Sequence, residues 1–449
     1  MVEELQKSPK LKRRISLFGL TALGVGNILG AGIYALIGEV VGKTGNLSWL
    51  AFILASITGI LTGLSYAELS AMYPKSAAEF VYTERAFKIR ILSFILGWII
   101  IFSGVLSAAT VALGFANYFV SFFNLTPLAS VIFKVIYAGF LVIILSIVNS
   151  IGIKTSTWTN VIFTLIEASG LILVIILGIP SFGSVNYFEL PTSSSFLMVF
   201  SAVALIFFAY IGFEDIANVA SEAKKPQKNL PKAIIFSILI TTVLYCLTAI
   251  SVVSILPYSD VASVDAPLNV VVSAVLGPVG VIIMSLIALF ATANTVLIML
   301  IVTSRMMYGM ARDKALPEGL SKISPKFRTP TISVFLTMIL TLIPIFVADI
   351  SIIAHATVLG VLITFILVNI SLLVLRKKKP DIERPFKLKP NIKGLPMVSI
   401  LGSIVCIGLL FTFNWITYVI QAFIILGGII IFYTMKSKIE TKTPNKNKD

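Results

Sequence analysis

The sequence predicts an all-α integral membrane protein with twelve transmembrane helices, on three observations. The first is composition: mean hydropathy is +1.01, with 57% of residues hydrophobic and only 12% charged. A soluble domain carries about twice that charged fraction. The second is a succession of twelve apolar segments of bilayer-crossing length, near 15–41, 46–71, 88–121, 128–149, 157–179, 196–220, 231–256, 269–305, 331–348, 350–375, 396–414 and 416–435. The longest must tilt or project beyond the lipid, and the roughly ten-residue alternation of a β-barrel strand is missing. The third is that basic residues gather in every second loop.

That charge pattern fixes an expected topology. Lys7, Lys10, Lys12, Arg13 and Arg14 precede the first span; Arg85, Lys88 and Arg90 follow the second; Lys224, Lys225, Lys228 and Lys232 follow the sixth. Arg312, Lys314, Lys322, Lys326 and Arg328 follow the eighth, Arg376 to Lys379 the tenth, and a lysine-rich tail begins at Lys436. The opposite loops carry Glu189, Asp260, Asp265 and Asp349 instead. Cytoplasmic loops hold the Lys/Arg excess, so both termini are expected in the cytoplasm and the protein in the cytoplasmic membrane. The net charge of +15 therefore reports topology and does not point to nucleic acid. No short apolar stretch with a small-residue cleavage site opens the chain, so the first span is expected to persist. Cys246 and Cys406 lie inside spans without metal-ligand spacing, which predicts neither a disulfide nor a metal.

Along the chain, residues 1–14 form a cytoplasmic segment and 15–179 hold the first five spans. The first span contains Gly24, Gly26, Asn27, Gly30 and Gly32. Glycine costs a helix about 1 kcal/mol relative to alanine, so the cluster predicts an unwound stretch at mid-membrane depth. Bare backbone there is tolerated only beside protein or a water-filled cavity, where it can bind polar groups. Ten spans plus two more suggest halves of five, because an odd number per half turns the second copy upside down. The second half, 180–375, should then open with a matching break, and the sixth span reads Phe207-Phe208-Ala209-Tyr210-Ile211-Gly212-Phe213-Glu214-Asp215. A linker over 376–395, two further helices over 396–435 and a tail over 436–449, expected to lack structure after Lys436, complete the chain. Pro278 and Pro344 sit well inside spans and are expected to kink them.

An amino acid presents a carboxylate and an ammonium on one carbon, and the two breaks offer complements to both. Backbone N–H groups of Gly30, Ala31 and Gly32 face an anion as a helix N-terminus does. Carbonyls of Ile28, Phe208, Ala209 and Ile211 are freed for an ammonium. Close helix packing is the competing account of the glycines, but it explains neither Asn27 nor the matching break. Glu167, mid-span and far from either interface, is a candidate proton carrier; the alternative is a protonated acid hydrogen-bonded to a neighbouring helix. Glu214 either gates with pH or bonds loose backbone N–H groups, and Asp215 is expected to face water. His355, the only histidine, is a structural or pH-sensing group near the outer end of span ten. No nucleophile triad, phosphate loop or HExxH spacing is present, so enzymatic chemistry has no support and no cofactor is expected.

The motifs resemble the amino acid-polyamine-organocation superfamily, and within it prokaryotic amino acid permeases related to cationic amino acid transporters. Four stretches carry the resemblance, which extends over nearly the whole chain: Gly26 to Tyr34; Tyr66 to Ser76; Gly212-Phe213-Glu214 with Glu222 and Lys225 to Pro231; and Ser304-Arg305 with Met310 to Asp313 and Leu316-Pro317. It implies the five-plus-five inverted fold of the bacterial leucine transporter, with helices one and six unwound, two added helices, and alternating access. It puts carboxylate contacts on Gly30, Ala31 and Gly32, and ammonium contacts on Ile28, Phe208, Ala209 and Ile211. Proton-coupled relatives often hold a lysine at the position that Glu167 matches, so their lysine mechanism does not transfer. Where relatives that move cationic amino acids place an acid after Gly-Trp of the third helix, Gly97-Trp98 is followed here by Ile99 to Ser103, which favours neutral substrates.

The expected function is secondary, proton-coupled symport of a neutral amino acid, with Glu167 and Glu214 in coupling or gating. An exchanger, or a transporter of cationic amino acids or polyamines, is the alternative. A non-transporting amino acid receptor is disfavoured because the chain shows no sizeable cytoplasmic signalling domain. Sodium dependence, the amino acid and the oligomeric state are not encoded legibly.

Overall fold

The computed structural model describes residues 11–441 except 121–126, 192–198, 200–201, 204–205, 208, 263, 265, 347–349, 393, 412 and 414. Among the described residues the regular structure is helical apart from one short antiparallel pair, β1 (Asn391–Ile392) and β2 (Leu395–Pro396), and an isolated parallel bridge between Ile15 and Ala223. The helices are α1 (Leu17–Thr44), α2 (Ser48–Met72), α3 (Ala78–Phe87), α4 (Arg90–Val120), α5 (Pro127–Ile151), α6 (Ile153–Gly178), α7 (Asp215–Asn218), α8 (Pro226–Ile255), α9 (Tyr258–Val261), α10 (Pro267–Leu276), α11 (Pro278–Arg312), α12 (Thr331–Ile345), α13 (Ile350–Lys378), α14 (Met397–Leu410) and α15 (Trp415–Thr441). Nine helical stretches among the described residues are long and apolar enough to cross a membrane. The protein is a multi-pass membrane protein.

Most expected spans coincide with a helix, and the departures have local causes. The span expected over 269–305 is two helices. Gly277 takes a positive φ of 63° and ends α10, and Pro278, which needs no intrahelical donor, starts α11. Pro344 lies at the end of α12 and terminates it. α3 was not expected as a separate helix; Ala77 and Lys88, both left-handed, bound it. The last helix runs on to Thr441, because nothing between Lys436 and Thr441 breaks it and lysines suit a helix C-terminus.

Apolar side chains face outward as well as inward. Phe140, Leu165, Val243, Phe335 and Phe423 are all more than half exposed, which is the lipid-facing surface a bilayer requires. Polar groups turn inward and pair. The two oxygens of buried Glu68 on α2 accept from Arg376 Nε at 2.8 Å and Nη2 at 2.6 Å. Arg384 and the Leu388 N–H join the same carboxylate, so the segment after α13 folds back over the end of α2.

A second buried ion pair ties the middle of the chain together. Arg305 Nε on α11 donates to Glu222 Oε1 at 2.7 Å, and its Nη1 donates to Asn149 Oδ1 at 2.7 Å. The Glu222 carbonyl accepts from the N–H groups of Arg14 and Ile15, while the Lys224 N–H donates to Ile15, so residues before α1 run beside those after α7. Arg305→Met strands the Glu222 carboxylate in the interior and is expected to cost about 3–5 kcal/mol. Thermal unfolding in detergent checks this, and adding Glu222→Leu should recover most of the loss.

Candidate substrate site

The backbone of α1 leaves helical geometry at Gly30, with φ 31° and ψ −155°. A side chain at that φ is strained, so the glycine permits the break. The sixth span breaks too. The described residues 202–203, 206–207 and 209–210 are helical, the chain turns over 211–214 with Gly212 at φ 129°, and helix resumes as α7.

The two breaks touch. A Cβ on Gly32 would stand 3.0 Å from Ala209 Cβ, and one on Gly212 would stand 2.6 Å from Asn27 Nδ2. Asn27 Nδ2 donates across the junction to the Gly212 carbonyl at 3.1 Å and to Asp215 Oδ2 at 2.6 Å. Asp215 was expected to face water, but it is buried, because Asn27 supplies the donor its carboxyl needs. Glu214 Oε2 accepts from the Gly212 N–H at 2.8 Å, so it bonds loose backbone of its own break.

Tyr245 on α8 completes the junction. Its hydroxyl donates to the Ile28 carbonyl at 2.6 Å and stands 3.3 and 3.2 Å from the carbonyls of Leu29 and Ala209. Phe52 and Tyr210 pack against its ring and hold it in place. Two of the four carbonyls that the sequence assigns to an ammonium, Ile28 and Ala209, thus already converge on one hydrogen-bond donor. Phe208 lies outside the described residues; Ile211 sits in the turn, and Gly30, Ala31 and Gly32 begin the second half of α1. The first amides of a helical segment have no partner within it, which leaves that end suited to an anion.

Glu167 lies apart from this junction but is tied to both halves of α1. Its carbonyl accepts from the Tyr34 hydroxyl at 2.6 Å, and its Oε2 accepts from Asn294 Nδ2 at 3.4 Å. The same Asn294 amide donates to Thr164, whose hydroxyl donates to the Ala22 carbonyl, and Asn160 donates to Asn294 Oδ1. Glu167 is fully buried, and its Oε1 has no partner among the described residues.

Sequence reading missed Tyr245 and Asn294, which are isolated polar residues in apolar helices, and Asn160 and Thr164, although these stand at i and i+4 with Glu167 at i+7 on one face of α6, a spacing that points to them. It missed Glu79 as well. This residue of α3, outside the membrane spans, accepts from Tyr66 at 3.1 Å and from Asn218 at 3.2 Å. It faces Tyr82 and lies within electrostatic reach of Glu214 and Asp215. Burial pushes its carboxyl up to about 7, against the hydrogen bonds that favour the charged form.

The profile of the amino acid permease family matches residues 15–439, nearly the whole chain. The chain belongs to the amino acid permease family. The permease is 30% identical over 442 residues to the branched-chain amino acid permease BcaP of Bacillus subtilis (strain 168), covering 95% of this chain and 94% of that protein. It is also 30% identical to the methylthioribose transporter of the same organism, over 97% of this chain and 96% of that protein. With the vacuolar cationic amino acid transporter 4 of Arabidopsis thaliana it shares 28% identity, over 83% of the permease and 64% of the plant protein.

The raised Glu79 sets a pH dependence for the permease. A carboxyl protonated in the fold up to about pH 7, against about 4.5 ordinarily, stabilises below pH 4.5, and that contribution is lost as pH rises through 7. The expected loss is about 3 kcal/mol. Unfolding measured from pH 4.5 to 8 should show a falling slope that Glu79→Gln flattens.

Proposed function

We propose that this permease is a secondary amino acid transporter of the cytoplasmic membrane, working by alternating access with both termini inside. The carrying observation is the contact between the two breaks, where carbonyls from both converge on the Tyr245 hydroxyl. Gly30, Ala31 and Gly32 offer N–H groups to the substrate carboxylate; Ile28, Phe208, Ala209 and Ile211 offer carbonyls to its ammonium. A carbonyl oxygen has two lone pairs, so Tyr245 can share these acceptors with an ammonium or give way to it.

The five-plus-five inverted arrangement is supported by the helix neighbours. The first span meets the sixth, α2 packs on α8, α4 on α11, and α5 on α12, which pairs spans one to four with spans six to nine. Equivalent elements of two inverted halves meet in this way around a pseudo-two-fold axis. Residues 15–179 and 180–375 are the proposed halves, with 396–435 added outside them.

Coupling is assigned to a proton carried by Glu167. Its carboxyl is buried with one oxygen unpartnered among the described residues, it reaches Ala22 before the break through Asn294 and Thr164, and the backbone carbonyl of the same residue accepts from Tyr34 beyond the break. A charge change there acts on both halves of α1 at once. Glu214, bonded across its own break, is the proposed gating partner.

The substrate is read as a neutral amino acid. Ile99 to Ser103 follow Gly97-Trp98 without an acid, and the similarity to a branched-chain amino acid permease agrees. Equal identity to a methylthioribose transporter makes a substrate without a zwitterionic head the rival to exclude. In proteoliposomes, an inward proton gradient should concentrate the amino acid, and Glu167→Gln should abolish concentration while leaving exchange. Normal concentration by Glu167→Gln would refute this coupling, and uptake confined to preloaded vesicles would establish obligate exchange instead.

A further inference from the structure

A cavity of about 370 Å³ opens where the start of α1, the start of α6 and the segment after α7 come together. Its lining includes Arg14, Lys154 and Lys224, one cation from each of those three chain segments, and among the described residues no carboxylate. Among the described residues none of the three is ion-paired. Loop charge that serves only topology can spread into water, where like charges separate. Here the backbone of two of them is fixed, because Arg14 and Lys224 stand at opposite ends of the short parallel bridge between Ile15 and Ala223, where the Arg14 N–H donates to the Glu222 carbonyl and the Lys224 N–H to the Ile15 carbonyl. Lys154, on the first turn of α6, closes the third side.

The cavity also has backbone donors. Ser16 Oγ accepts from the Gly19 N–H at 3.2 Å and the Ser16 carbonyl from Leu20, but the N–H group of Phe18, a lining residue, finds no partner among the described residues. It adds the positive end of a long helix to three full charges. Phe18 and Trp158, 61% and 58% exposed, line the same cavity. An aromatic rim on a basic hollow matches a ligand with an anionic head and an apolar body at the membrane interface.

We propose that this cavity binds the phosphate of an anionic phospholipid headgroup. The phosphate lies among Arg14, Lys154 and Lys224, and the acyl chains lie along Phe18 and Trp158. Free phosphate shares the head chemistry, but it would leave the aromatic rim unused. A bound headgroup ties the segment before α1 to the first turn of α6, and so favours the arrangement in which the first half of α1 sits against α6.

The test uses the full-length protein in neutral detergent, with thermal unfolding followed against short-chain phosphatidylglycerol, short-chain phosphatidylcholine and inorganic phosphate. Phosphatidylglycerol should raise the unfolding temperature saturably, above any effect of phosphatidylcholine, and inorganic phosphate at equal concentration should give little. The triple change Arg14→Gln, Lys154→Gln and Lys224→Gln should remove the difference between the two lipids. Should the triple variant fail to fold, Lys154→Gln alone, exposed and outside the bridged strap, should weaken phosphatidylglycerol about tenfold. A control with Lys314→Gln, Lys322→Gln and Lys326→Gln, on another loop, should keep the full effect. Equal shifts with both lipids, or an unchanged lipid preference in Lys154→Gln, would overturn the proposal. Loss of the effect in the control variant would reduce it to general surface charge, and a saturable shift with inorganic phosphate that competes with the lipid would make it a free-phosphate site.

Discussion

Backbone groups released inside a bilayer must find partners within the protein, and the structure is organised around that requirement. Two spans break in their interiors, at Gly30 and over 211–214. Either break alone would strand carbonyls and amides in a medium that cannot solvate them. Set against each other, they are served by a small number of side chains: Asn27 bonds the Gly212 carbonyl, Glu214 takes the Gly212 N–H, and Tyr245 gathers the carbonyls of Ile28 and Ala209. The carbonyls of Gly212, Ile28 and Ala209 each keep a second lone pair beyond these bonds. A zwitterion brings three donors and a carboxylate to the same place, and can therefore compete for it.

The rest of the molecule positions and loads this junction. Asn294, Thr164 and Asn160 connect Glu167 to the first half of α1, while Tyr34 connects its helix to the second half. On the Glu79 side, Asn218 and Tyr66 link that carboxyl to the segment after the sixth-span break and to α2. Arg305 and Glu222 then fix that segment to α11 and to the residues before α1. Each break thus lies between helical segments that are hydrogen-bonded to a buried carboxyl or to its residue's backbone.

The breaks were legible in the sequence because glycine is a backbone signal: Gly30 and Gly212 adopt φ values that other residues avoid, and both stood out inside apolar runs. The motif acids and bases were legible as a set but not as pairs. Glu222 and Arg305 were both part of the quoted motifs, yet 83 residues separate them and only the fold brings them together. Tyr245 left no trace, since one tyrosine in an apolar helix reads as packing. Asp215 was misplaced because a charged residue beside a turn reads as solvated until its donor, Asn27, is seen 188 positions away. The split at Gly277 and Pro278 could have been read from the Gly-Pro pair, whose turn chemistry an otherwise continuous apolar run conceals.

The central claim, that the two joined breaks grip both charged groups of an amino acid, is tested most directly by removing those groups from the ligand one at a time. Isothermal titration of the purified protein would compare the amino acid that binds best with its decarboxylated amine and its deaminated acid. The account predicts that each analogue loses at least about a hundredfold in affinity, since each leaves one half of the junction without its partner. Binding of either analogue as tightly as the parent amino acid would contradict it.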